Sequence, residues 1–190
     1  MTYLEFYVLP LIFLHITFSN LVLGEQIVPQ LWYLNCLINM IETGYMENIL
    51  TDYLRGQLFP TDLTINYHIG NAFSGETDLR LRGDGIYELW STVTQDRQHR
   101  RYSGQLNVAD VHELVQTIQS VRLWEVQHIF MEGGRDNPEA RIVVTANEES
   151  FTVVLWVMEI EDVPAFDEVQ EKILTLVRRV SDGEVLEVGR

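Results

Sequence analysis

The chain has 190 residues, enough for one domain, and 46% hydrophobic content suffices to enclose a single core. A formal net charge of −15 repels phosphate backbones, which argues against nucleic-acid binding and suits a basic partner protein. Cys36 is the lone cysteine, so an intrachain disulfide and a thiolate metal cluster are excluded, and a reducing, cytoplasmic setting is expected.

No lysine or arginine precedes Arg55. This divides the chain into an apolar leader, residues 1–45, and a single α+β domain, residues 46–190. Residues 6–18 (FYVLPLIFLHITF) have the character of a signal-peptide core, and Val22-Leu23-Gly24 offers a cleavage step. Glu5 and the lack of a basic start oppose that reading. If residues 1–24 are a cleaved signal, the protein is secreted or belongs to the envelope. A membrane helix needs about 20 apolar residues. Pro10, His15, Ser19 and Asn20 interrupt this run, so no stable span is expected. A true start at Met40 or Met46 is the remaining reading of the change in composition.

A short helix through Asn48–Leu54 leads to a turn at Pro60. Leu63–Ile69 alternates apolar and polar residues as a strand does, and Gly70–Gly75 reads as a loop. Asp78–Arg82 and Ile86–Thr94 flank Gly83-Asp84-Gly85, whose composition suits a tight hairpin turn. Gln95–Arg101 is a polar, basic connector, and Tyr102–Leu106 offers a further strand. Asn107 caps a helix whose face is Val108, Val111, Leu114, Val115, Ile118 and Val121, ending near Arg122–Trp124. Residues 133–138 (GGRDNP) break all regular structure.

Ala140–Ala146 and Phe151–Met158 form a second hairpin around Asn147-Glu148-Glu149. Asp162 then caps a last helix with Pro164 in its first turn and an apolar stripe from Phe166 to Val180. Acids crowd its start and Arg178 and Arg179 its end, which matches the macrodipole. Two amphipathic helices each have one face to bury. The expected fold is α+β: an antiparallel sheet of about five strands with both helices on one face, in the order βββ-α-ββ-α.

The chemistry-bearing residues form no complete constellation. His112-Glu113-Leu114-Val115-Gln116 misses the zinc-protease pattern because Gln116 stands where the second histidine is needed. A metal-dependent hydrolase would have to use His112, His128 and nearby acids such as Glu132 and Asp136. Arg82-Gly83-Asp84 spells an adhesion tripeptide, yet turn chemistry alone accounts for it. Arg97, Arg100 and Arg101 make the local basic cluster, able to grip a phosphate or carboxylate. Trp90 and Trp156 lie in strands that are apolar on both faces, so a sheet covered on one side would expose an apolar patch. These five residues mark the expected interface; no cofactor or catalytic group is assigned.

Gly83-Asp84-Gly85, the strand into Tyr102-Ser103-Gly104, the Leu123-Trp124 step and the closing hairpin plus helix supply a pattern. From about Asp78 to Glu187 it resembles a type of small bacterial α+β domain of unknown function. The resemblance implies a non-enzymatic bacterial domain and brings no site residues. The functional expectation is an acidic protein-interaction module, of immunity or antitoxin type, whose partner is a basic protein or a second copy of itself.

Overall fold

The computed structural model describes residues 45–71, 75–93, 98–126 and 137–185. The apolar leader, Cys36, Arg97, His128 and the glycine pair after Glu132 lie outside these residues.

The first described element is a helical stretch, residues 45–54, here α1. Met46, Ile49, Leu50 and Tyr53 recur at helical spacing and are all buried. A 3-10 turn, Pro60–Asp62, leads into β1 (Leu63–Asn71). Then follow β2 (Gly75–Arg82), β3 (Ile86–Val93) and β4 (Gln98–Gln105). The helix α2 (Val108–Ser120) separates them from β5 (Glu139–Ala146) and β6 (Glu149–Trp156), and α3 (Pro164–Val180) closes the domain. The six strands form one antiparallel sheet in the order β4-β3-β2-β1-β5-β6.

The α+β class and the antiparallel sheet agree with the sequence reading, while the counts do not. Six strands replace about five, four of them precede α2, and the short helix expected through Asn48–Leu54 is present as α1, a third helix beside the two expected to cover the sheet. β4 joins the expected further strand from Tyr102 to the end of the basic connector before it, so that the strand begins at Gln98. It is a sheet edge exposed along much of its length, so backbone pairing with β3 holds it without apolar alternation. Of the expected loop Gly70–Gly75, Gly70 and Asn71 belong to β1 and Gly75 to β2, while residues 72–74 lie outside the described residues. Gly70 (φ 118°) and Gly75 (φ 97°) have the positive φ that glycine adopts freely, and Asn71 pairs with Gly75.

Strand alternation divides the sheet into two unlike faces. Leu63, Ile65, Tyr67, Leu79, Leu81, Leu89, Ile142, Val144 and Val153 are buried on one of them, beneath the apolar stripes of the helices. Three contacts fix those helices to that side. Gln170 of α3 donates to the Tyr67 hydroxyl at 3.0 Å, and Tyr53 of α1 donates to the Gly83 carbonyl at 2.7 Å. The His112 ring of α2 meets Tyr53 edge-on, with centroids 5.1 Å apart. Burial of each large side chain stabilises the core by roughly 1.5–3 kcal/mol.

Two helix starts differ in kind. Asn107 caps α2 as expected, its side chain accepting from Ala109 N–H at 3.0 Å. Asp162 does not cap α3. It ends a 3-10 segment, Val157–Asp162, and Val163 takes the cap position without a side-chain bond. The same segment shortens β6, which stops at Trp156 and leaves Met158 73% exposed. The preceding turn is only Asn147 (φ 50°) and Glu148 (φ 73°), the positive pair that a two-residue hairpin turn requires.

Candidate functional site

The second face of the sheet is the surface that the helices leave uncovered among the described residues. Its side chains follow from the pairing register. One row across the sheet reads Arg101, Trp90, Asp78, His68, Arg141 and Val154 from β4 to β6. The next row reads His99, Thr92, Glu76, Gly70, Glu139 and Trp156. A third carries Ser103, Glu88, Arg80, Asn66, Val143 and Thr152.

Neighbours in these rows are paired by charge. The Arg101 guanidinium lies 5.5 Å from the Trp90 ring centroid and 3.3 Å from a Glu88 carboxylate oxygen. His68 Nδ1 is 2.9 Å from Asp78 Oδ1. Arg141 is ion-paired with Glu139, and Thr92 and His99 share a hydrogen bond at 3.1 Å. The hydrogen bond from Asp78 raises the His68 pKa above its ordinary value, against the opposing effect of desolvation, with Asp78 and Glu139 adding attraction and Arg141 subtracting some.

Trp90 and Trp156 both belong to this face but stand four strands apart, about 19 Å at the usual strand spacing. The ground between them is charged, where the sequence reading expected part of this face to be apolar. Each tryptophan is a flank of the face rather than the centre of a patch. Beside Trp156 opens a cleft of about 370 Å³, lined by Asn137, Pro138, Trp156, Val157, Met158 and Glu161.

The expected arginine cluster is divided by the fold. Arg100 and Arg101 are consecutive in β4 and therefore point to opposite faces. Arg101 joins Trp90 on the open face. Arg100 turns to the helix side and donates to the Glu184 carbonyl at 2.7 Å, while Tyr102 donates to the Glu184 carboxylate at 2.8 Å. Burial, followed by this carboxylate, raises the Tyr102 pKa.

At the β2–β3 turn, Arg82 and Asp84 clasp each other through Nε at 3.2 Å and through a second guanidinium contact. That bond from Arg82 holds the Asp84 carboxyl below its usual range. Adhesion through the tripeptide would require both side chains to reach outward, and each is engaged with the other.

His112 sits in the helix layer against Tyr53, and its neighbour Glu113 is ion-paired with Lys172. Among the described residues, the group of histidines and acids close enough to share a metal ion is His68, Glu76 and Asp78, whose donor atoms all lie within 4.8 Å of one another. It does not include His112. Sequence reasoning passed over these three because they meet only through the β1–β2 register, in which His68 opposes Asp78. The legible signal was the alternation in Leu63–Ile69, which assigns His68 to the polar face.

Among the described residues no helix is long and apolar enough to cross a membrane. Comparison with protein-family models and with curated proteins gives no match.

Proposed function

We propose that the domain is a non-catalytic binding module that docks a basic partner protein on the open face of its sheet. The observation that carries this reading is the six-stranded face left uncovered by the described helices, with Trp90 and Trp156 at its flanks and Arg101 stacked on Trp90. Strands hold side chains in fixed register, so such a face is preorganised and loses little freedom on binding. Half-buried tryptophans and arginines are the residue types that dominate binding energy in protein interfaces.

The basic character of the partner follows from charge. The open face itself is balanced, with Arg80, Arg82, Arg101 and Arg141 set against Glu76, Asp78, Glu88 and Glu139. The net charge of −15 therefore resides elsewhere, chiefly in the loops and the helix layer. It supplies a long-range field that draws a cationic protein in, while short-range contacts form on the sheet. The cleft beside Trp156, bordered by Met158 and Glu161, suits the alkyl stem and charged end of a partner's lysine or arginine.

The same balance of charge favours a second reading, self-association face to face, since a neutral face is where two acidic copies repel least. Sedimentation of the purified chain across a hundredfold range of concentration separates the two readings. A concentration-dependent dimer lost in Trp90→Ala indicates the second. For the first, affinity capture from the source cell compares wild type with Trp90→Ala/Arg101→Ala. Retention of a basic protein by wild type alone, released by salt, supports it. Recovery of the same proteins by both chains overturns it.

A further inference from the structure

We propose that His68, Glu76 and Asp78 form a binding site for a divalent transition-metal ion on the open sheet face. One ring nitrogen and two carboxylate oxygens, one from each acid, lie within 4.8 Å of one another. Donors bound to a common ion at about 2.0–2.2 Å stand at most about 4.4 Å apart, so slight turning of the carboxylates completes the set. The backbone does most of the arranging. His68 and Asp78 are directly opposed across β1 and β2, and Glu76 follows two residues before Asp78, on the same face. Gly70 opposes Glu76 and Glu139, so no side chain of β1 rises between those two carboxylates.

Charge supplies the driving force. Two carboxylates share one small area, and His68 hydrogen-bonds with Asp78. Arg141, the nearest guanidinium across the β1–β5 pairing, is held by Glu139. Glu76 meets no cationic side chain among the described residues, and a bound cation would neutralise it. The donor set also selects the ion. One imidazole nitrogen with two carboxylate oxygens suits zinc and its neighbours, whereas magnesium and calcium favour all-oxygen shells. Three protein donors leave at least one position for water or for a partner's side chain. The hydrogen bond between Asp78 and His68 holds the ring and this carboxylate side by side, and a bound ion would replace it. This inference stands on donor geometry and is independent of the partner reading.

The test is isothermal titration of the metal-free full chain with Zn²⁺, comparing wild type with His68→Ala, Glu76→Gln and Asp78→Asn. Glu149→Gln, in the β5–β6 hairpin, is the control, and circular dichroism verifies that each variant is folded. The expected result is a saturable one-to-one event in wild type and in the control. Each of the three substitutions should weaken it by about tenfold or more, and Mg²⁺ should give no comparable event. Glu76→Gln is isosteric and breaks no bond seen among the described residues, so it remains readable if His68→Ala fails to fold. Absence of saturable zinc binding, or equal affinity in wild type, Glu76→Gln and Asp78→Asn, overturns the proposal.

Discussion

Tyr53 donates its phenolic hydrogen to the Gly83 carbonyl at 2.7 Å, joining α1 to the β2–β3 turn across 30 residues of chain. Burial, and to a lesser degree the nearby Asp84, pushes the Tyr53 pKa up to about 12. In the unfolded chain the value is about 10. The folded state therefore holds this proton more tightly, and its contribution is complete below about pH 10. It is lost as pH rises toward 12. Tyr53→Phe should cost about 1 kcal/mol at neutral pH and flatten the alkaline decline. Urea unfolding at a series of pH values reads both effects, and an unchanged alkaline limb in the variant would contradict them.

Gly83 admits no side chain. A Cβ there would stand 2.4 Å from the Pro60 carbonyl oxygen and 2.8 Å from a Tyr53 ring carbon. The first contact is backbone of the turn that opens β1, and it cannot rotate aside. Gly83→Ala should destabilise by roughly 1–3 kcal/mol, as overpacked cores do. A midpoint of chemical unfolding equal to wild type would show that the turn yields more easily than its contacts imply.

In the core, Gln170 is 5% exposed and its Nε2 donates to the Tyr67 hydroxyl at 3.0 Å, while its Oε1 has no hydrogen-bond partner among the described residues. Removing one member leaves the other's polar atoms buried with less compensation. Tyr67→Phe should cost about 1–3 kcal/mol. The double variant Tyr67→Phe/Gln170→Leu should recover a substantial part of that loss, because both polar ends leave together. A double-mutant cycle measures the coupling, expected at about 0.5–3 kcal/mol. Strict additivity would mean that the pair does not act as a unit.

Arg101 lies over Trp90 on the exposed face, so the contact contributes little to folding and its use is in recognition. Arg101→Ala should lower stability by only about 0.5–1 kcal/mol. Loss of several kcal/mol in thermal or urea unfolding would reassign this pair from the surface to the framework.

Much of the domain can be traced in its sequence, and the exceptions share a cause. The stripe from Phe166 to Val180 and the cap at Asn107 announce α3 and α2, because local spacing and local hydrogen bonds define them. β4 is legible only in its second half, from Tyr102, since an exposed edge strand needs no apolar alternation and its partner lies in β3. Asp162 looks like a cap by residue type, yet the chain first spends Val157–Asp162 in a tighter 3-10 coil. The candidate metal donors are hidden for the same reason as the first half of β4. His68 and Asp78 are ten residues apart, and only strand register says that they touch. Arg100 and Arg101, adjacent in sequence, show the converse, because strand parity separates what sequence proximity joins.

The division of those two arginines has a bearing on how the protein behaves when crowded. Among the described residues no strand pairs with the outer edge of β4, and such an edge is the natural template for sheet growth into fibrils. Any strand that pairs there must lie against one guanidinium whichever way its own side chains alternate. Arg100 guards one side of the edge and Arg101 the other, and both would have to shed water or abandon a partner. Two consecutive charges thus act as gatekeepers against stacking of this sheet from either side, which a single arginine would achieve on one side only.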